Sequence, residues 1–303
     1  WCLVQASGCS MSAAFLRPDV AQEIFGRDAR AVLAWGPGPT ARAVAVDGGY
    51  RISGTWSFAS GGRHATWFGA HAPIVEADGS PRRDANGSAI YRTMLFPAGD
   101  ARMIDVWQVI GLRGTGSDSF TVTDYFVPHE RSVARNFLAE RQHGGKLYGV
   151  PDISVYAAGF AGVALGIARS LLDSFVNLAR DKVPRGNAKT LRDNAVVQSQ
   201  VGQGEARLNA ARYYLTAVLS EIWDVLEPGS SITLDQRMRV RLASTFAIHE
   251  AMAVADVAYH AAGATAIFIS NDFERRFRDI HTVGQQLQGR MAHFETVGLY
   301  LLG

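Results

Sequence analysis

The chain has 303 residues, 48% hydrophobic and 19% charged, with a formal charge of +2. That is enough apolar material for two domains or one large one, and too neutral a balance to suggest nucleic acid as a partner. The two cysteines, Cys2 and Cys9, give neither a disulfide framework nor a metal pattern, which fits a reducing cytoplasm, and no apolar run is expected to span a membrane.

Residues 1–26 read as helical pieces, with Pro18 in a first turn and Gly26 as a stop. Trp1 opens the chain without a methionine or a charged leader, and residues 1–30 are expected to be the end of a larger helical domain. The texture changes at Trp35. Gly36-Pro37-Gly38-Pro39 reads as loop, and Asp47-Gly48-Gly49 as a hairpin turn. Strands are expected at Ala41–Val46, Tyr50–Phe58, Trp67–Glu76, Ile90–Phe96, Arg102–Val109 and Phe120–Val127. Many short strands with frequent turn signals predict an antiparallel sandwich or barrel over residues 31–150. From 151 to 303 the apolar repeats are helix-length: Tyr156–Lys182, Ala188–Leu226, Leu234–Phe268 and Asp272–Leu302. Pro184-Arg185-Gly186 and Pro228-Gly229-Ser230 separate them, which predicts a four-helix bundle. The fold class is therefore α+β and multidomain.

Two glycine-broken loops carry the chemistry. One runs GGYRISGTWSFASGG from Gly48 to Gly62, the other GLRGTGSDSFTVTDYFVP from Gly111 to Pro128. Neither is a phosphate loop, because no lysine follows Gly116. Neither is a dinucleotide fingerprint, because Ser119 stands where a third glycine is needed and a strand pattern follows. Hydroxyls and aromatics beside alternating strands suit a flat ring with polar edges. His249 and His260 share a helix without zinc-binding spacing, so no metal is expected.

The order of helical remnant, β-domain and bundle, with Val46-Asp47-Gly48-Gly49-Tyr50 leading to Gly54-Thr55-Trp56-Ser57-Phe58-Ala59-Ser60-Gly61, with Gly111 to Ser117, Val127-Pro128, and Phe277-Arg278-Asp279-Ile280-His281-Thr282, resembles the acyl-CoA dehydrogenase superfamily. The nearer likeness is to its flavin-dependent monooxygenase branch, the oxygenase components of two-component systems. The resemblance implies reduced flavin (FMN or FAD) as cofactor, O2 and a small aromatic or heteroaromatic molecule as substrates, a separate flavin reductase, a homotetramer and a cytoplasmic location.

It also implies roles for residues. Phe58 would cover the isoalloxazine ring, the Ser60 hydroxyl would reach N5, and Trp56 and Ser57 would support that edge. Arg113, Thr115 and Ser117 would line the site from the other loop; for Arg113 the alternative is a surface turn. Arg180 would reach the cofactor phosphate of a neighbouring subunit, or else be a solvated helix end. His281 would be the base that activates the substrate, the alternative being a structural histidine bonded to a neighbouring helix. Gln286 stands near where related oxygenases carry a second histidine. An FAD-dependent acyl-CoA dehydrogenase needs a carboxylate base, and none follows Arg278-Asp279 through Gly289; Glu250 and Asp256 are the substitutes to weigh. A non-catalytic member of the family is the third reading.

Overall fold

The structure is a computed structural model that describes residues 1–134 and 140–303. It divides into two compact units. The first comprises Trp1–Gln108, Arg113–Asp152 and Pro228–Ser230, the second Val109–Leu112, Ile153–Glu227 and Ser231–Gly303.

The first unit starts with helices α1 (Cys2–Ser10) and α2 (Pro18–Ala21). Its sheet contains β1 (Leu33–Gly36), β2 (Arg42–Val46), β3 (Gly49–Trp56), β4 (Trp67–Val75), β5 (Tyr91–Pro97), β6 (Arg102–Ile104), β7 (Ser119–Pro128) and β8 (Ser132–Val133). The path is β6-β7-β3-β2-β4-β5-β8, with β1 against β4. The expected antiparallel order needs one correction. The β1–β4 and β2–β4 pairs are parallel. β1 itself falls where a loop was expected from Trp35 on; its buried residues pair Leu33 to Gly36 with Trp67 to Ala70. Alternation carries no signal in a strand buried on both faces.

The sheet core is aromatic. Phe120 stacks on Phe68 at 4.1 Å between ring centroids and on Trp56 at 5.3 Å. Ile52, Ile74, Met94 and Phe96 fill the space around them and are fully buried.

Strand ends differ from expectation for local reasons. β3 stops at Trp56 rather than Phe58. The Ser57 N–H leaves the ladder for the Pro37 carbonyl at 3.0 Å, and Phe58 turns to φ +58°. β6 stops at Ile104 rather than Val109. The N–H groups of Val106 and Trp107 both donate to the Asp118 carboxylate at 3.1 Å instead of to a neighbouring strand.

The second unit holds α3 (Asp152–Asp181, from Ile153 on), α4 (Ala195–Val225), α5 (Leu234–Ala262), α6 (Phe273–Gly284) and α7 (Ala292–Leu302). α4 starts later than expected because Asn194 caps it, accepting from Val196 and Val197 N–H. α5 opens on a capping box between Thr233 and Gln236 and ends at Gly263, whose φ is +60°. The expected last helix is two helices: a turn at 285–291, containing the short 3₁₀ segment Leu287–Gly289, separates α6 from α7. Gly204 of α4 lets three helices approach, since a Cβ there would meet Leu172 of α3 at 3.2 Å and Val254 of α5 at 3.4 Å. By length and composition α3 would suffice to cross a membrane, contrary to the expectation from sequence. Phe160, Leu171, Leu172 and Phe175 on this helix are buried inside the unit, as in the core helix of a bundle.

Asp118 is the electrostatic centre of the first unit, 2% exposed. Burial opposes its charge, but the Arg63 guanidinium at 2.5 Å and the two backbone N–H donors outweigh it and hold the carboxyl below the ordinary aspartate value. A depressed folded value means stabilisation that is complete above about pH 5 and lost as pH falls from about 4 through the folded value. Asp118→Asn is expected to lower unfolding free energy by about 2 kcal/mol at pH 7. Urea titrations should show the gap between the two proteins narrowing below pH 4.

Candidate active site

The two glycine-broken loops meet in the first unit. Ala59 N–H donates to the Asp118 carbonyl at 3.1 Å and Gly61 N–H to the Thr115 carbonyl at 2.9 Å. Ser119 Oγ donates to Ser57 Oγ at 2.9 Å. Ser60 Oγ lies 2.7 Å from Ser117 Oγ, which lies 2.7 Å from Thr115 Oγ1. The Trp1 indole N–H donates to Ser60 Oγ at 3.0 Å. Ser60, 57 residues before Ser117 in the chain, therefore forms one hydroxyl cluster with Ser117 and Thr115.

Phe58 stands beside this cluster and breaks two rules. It is 63% exposed, and its φ of +58° is a left-handed conformation that costs a bulky residue about 1–2 kcal/mol. Trp107 approaches it edge-on, with centroids 6.0 Å apart. An aromatic held strained and open to solvent points to function more than to packing.

The other predicted cofactor residues divide. Trp56 is fully buried, and its indole N–H donates to the His71 carbonyl at 2.9 Å. A Cβ on Gly38 would come within 2.5 Å of its ring, and one on Gly36 within 1.8 Å of the Ser57 carbonyl oxygen, so the Trp35–Ala41 loop lies directly against this strand. Ser57 is half-buried on Ser119. Arg113 is exposed in a short 3₁₀ turn, and His64 is exposed as well. In the second unit Arg180 is exposed in the last turn of α3.

His281, on α6, is set by two neighbours within the second unit. Its Nε2 lies 2.8 Å from Asp256 Oδ1 of α5, and Phe277 meets its ring edge-on at 4.4 Å. A carboxylate only accepts, so Nε2 carries the proton and Nδ1 has the lone pair of the neutral ring. Tyr259 stacks on Phe277 at 4.0 Å and completes the wall. The same helix binds the segment Val109–Leu112. Asp279 Oδ1 accepts the Leu112 N–H at 2.6 Å, and Arg278 donates to the Ile110 carbonyl. A Cβ on Gly111 would fall 2.2 Å from the Arg278 carbonyl oxygen, so only glycine fits there.

The turn after α6 is braced by imidazoles. His249 Nε2 donates to the Gly289 carbonyl at 2.9 Å and His293 Nε2 to the Leu287 carbonyl at 2.8 Å. In this turn Gln286 Oε1 accepts the Gln288 N–H at 2.7 Å, while its Nε2 is buried without a hydrogen-bond partner. Among the described residues no group of three His, Cys, Asp or Glu side chains converges as a metal site.

Sequence reasoning missed the Trp1 contact to Ser60 and the pairing of Asp256 with His281. Asp256 was visible only as a candidate carboxylate; nothing in the spacing says that α5 presents it to α6. The role of Asp118 was equally hidden, although its place directly after Ser117 was a signal.

The model of the acyl-CoA dehydrogenase C-terminal domain matches residues 158–288. Among known proteins, a pigment production hydroxylase from Rhodococcus erythropolis is 29% identical over 275 residues, 88% of this chain and 69% of that protein. The oxygenase subunit HsaA of a flavin-dependent monooxygenase from Mycobacterium tuberculosis is 27% identical over 267 residues, 86% of this chain and 66% of that protein. The chain thus spans about two thirds of the length of these relatives. Over residues 158–288 the chain resembles the C-terminal domain of the acyl-CoA dehydrogenases. The relatives that match over most of the chain include proteins named as flavin-dependent monooxygenases. The fold of this chain is that of XiaF from Streptomyces sp., solved in complex with FADH2 and glycerol, with a TM-score of 0.90 at 24% identity, covering 100% of this chain and 76% of that one.

The residues of the first unit fit such a cofactor. An exposed aromatic face adjoins a cluster of hydroxyls that can donate or accept, as the face and the polar edge of a flavin require. Phe58→Gly is expected to remove backbone strain and raise unfolding free energy by up to about 1 kcal/mol. The same change should weaken flavin binding about tenfold through loss of the ring contact. Denaturant titration and flavin fluorescence titration on one preparation check both halves.

Proposed function

We propose that this chain is the oxygenase component of a two-component monooxygenase, which takes reduced FMN or FAD from a separate reductase and hydroxylates a small aromatic or heteroaromatic substrate with O2. The observation that carries this reading is the union of the strained Phe58 with the Ser60–Ser117–Thr115 hydroxyl cluster. The relatives named as monooxygenases support it. Homotetrameric assembly and a cytoplasmic location belong to the same proposal; the free thiols of Cys2 and Cys9 are in keeping with the latter.

Reduced flavin, when bound, supplies the electrons that activate O2. Phe58 would give it a face, Ser60 would hydrogen-bond its N5 edge, and Thr115 and Ser117 would hold Ser60 in place. Arg113 is an exposed cation available to its phosphates, and Arg180 is one available to the phosphates of a neighbouring subunit's cofactor. His281 works on the substrate. Its Nδ1 takes the proton of a ring hydroxyl or ring N–H, and Asp256 orients the imidazole and stabilises the charge it gains. No base beyond this pair is needed.

Acyl-thioester dehydrogenation is less well supported, because the carboxylates around this helix are engaged. Glu250 pairs with Arg207 at 2.7 Å, Glu274 with Arg278 at 2.6 Å, Asp256 with His281, and Asp279 with the Leu112 N–H. A carboxylate base for an α-proton would first have to leave one of these partners.

The full chain, supplied anaerobically with FMNH2 or FADH2 and then with O2 and phenol- and indole-type substrates, is expected to place one atom of ¹⁸O from labelled O2 in the product. His281→Ala should lower product formation about 100-fold, and Asp256→Asn about tenfold, with flavin binding retained. Bleaching of bound oxidised flavin by an acyl-CoA, without ¹⁸O incorporation, would overturn the reading in favour of a dehydrogenase. Failure to bind flavin in either redox state would point to a non-catalytic member.

A further inference from the structure

The hydroxyl cluster has a property that a single serine lacks. Three of its contacts define it: Trp1 Nε1–H to Ser60 Oγ, Ser60 Oγ to Ser117 Oγ, and Ser117 Oγ to Thr115 Oγ1. The first has a fixed direction, because an indole nitrogen only donates. In each of the other two, either oxygen can be the donor. The chain of hydroxyls therefore has two proton orders of the same heavy-atom geometry.

In the first order Thr115 donates to Ser117 and Ser117 to Ser60. Ser60 then accepts twice, from Trp1 and Ser117, and its own O–H is left to donate outward. In the second order Ser60 donates to Ser117 and Ser117 to Thr115. Ser60 then accepts only from Trp1 and keeps a lone pair for an outside donor. Ser60 is the end of the chain that can meet a ligand: it is 8% exposed, against 2% for Ser117. Its backbone and that of Thr115 are held by neighbouring N–H and carbonyl groups, so the two orders exchange by hydroxyl rotation alone.

We propose that Ser117 and Thr115 are positioning residues that let Ser60 match both redox states of a flavin. The inference rests on the flavin reading given above. N5 of oxidised flavin is an acceptor and suits the first order. N5–H of reduced flavin is a donor and suits the second. No bond is made or broken; only the O–H directions reverse.

The two orders depend unequally on Ser117. With reduced flavin bound, Ser60 must pass its own proton to Ser117, and without that acceptor a buried O–H is left unpaired. With oxidised flavin bound, Ser60 loses only one of two accepted bonds, which is the cheaper defect. Ser117→Ala is therefore expected to weaken binding of reduced flavin about tenfold and of oxidised flavin less than about threefold. Thr115→Val should shift the ratio in the same direction by a smaller factor, since Ser117 then has no acceptor for its proton. Ser117→Thr, which keeps the hydroxyl, should restore the ratio.

The test is a pair of titrations of the full chain with FMN and FAD, aerobic for the oxidised and anaerobic for the reduced forms, read as the ratio of the two dissociation constants. A general loss of structure would weaken both states alike, so an equal effect overturns the proposal. An unchanged ratio in both Ser117→Ala and Thr115→Val overturns it as well. If the unaltered chain binds neither state, the flavin reading falls and this inference with it. If the unaltered chain binds flavin and the ratio stays constant across the variants, only the inference falls.

Discussion

The first unit depends on one buried carboxylate. Asp118 takes two backbone N–H groups from Val106 and Trp107 and the guanidinium of Arg63. A charge at this depth is tolerable only when its lone pairs are satisfied. Satisfying them has structural consequences. β6 ends early, Trp107 is brought beside Phe58, and the segment from Thr115 to Ser119 is drawn against Ala59 and Gly61. The alignment of three hydroxyls follows from that placement. Asp118 itself touches none of the three in the contacts that define the cluster; it fixes the backbone on which they stand.

Two kinds of residue lie around this anchor, and their energetics differ. Trp56, Phe68 and Phe120 stack in the sheet core, where their burial stabilises the fold. Phe58, two residues after Trp56, does the reverse: it is strained and exposed, and so costs stability. In a continuing strand residues i and i+2 would share a face, so the pleat alone does not separate them. The left-handed turn at Phe58 then removes it from the pleat altogether. Core and site are thus built from one run of sequence.

In the second unit the chemistry turns on what each carboxylate is paired with. Glu250, Glu274, Asp256 and Asp279 each hold a partner, and only Asp256 holds one that can move a proton. In the proposed function the imidazole of His281 is the reactive group, and the acid beside it is its support. Gln286 adds a buried N–H donor with no partner, in a turn braced by His249 and His293. An amide can bind an acceptor but cannot take a proton at neutral pH, so the proposed function leaves proton transfer to His281.

Much of this was legible from residues alone. Turn signals at Asp47-Gly48-Gly49 and alternation in Phe120–Val127 located strands, and long apolar periods located α3, α4 and α5, because local pattern dictates which face of an element is buried. The two glycine-broken motifs named Ser60, Thr115 and Ser117 as candidates, and the segment after Arg278 named His281. Tertiary structure decided the rest. The parallel pairing of β1 with β4, the split of the last helix at 285–291, and the loss of Val106 and Trp107 from a strand all depend on partners distant in the chain. The same holds for Trp1 on Ser60 and Asp256 on His281. Periodicity states that a side chain is buried or exposed; only the packed chain determines which hydrogen-bonding group it meets, and the reactivity of a hydroxyl or an imidazole is a property of that pair.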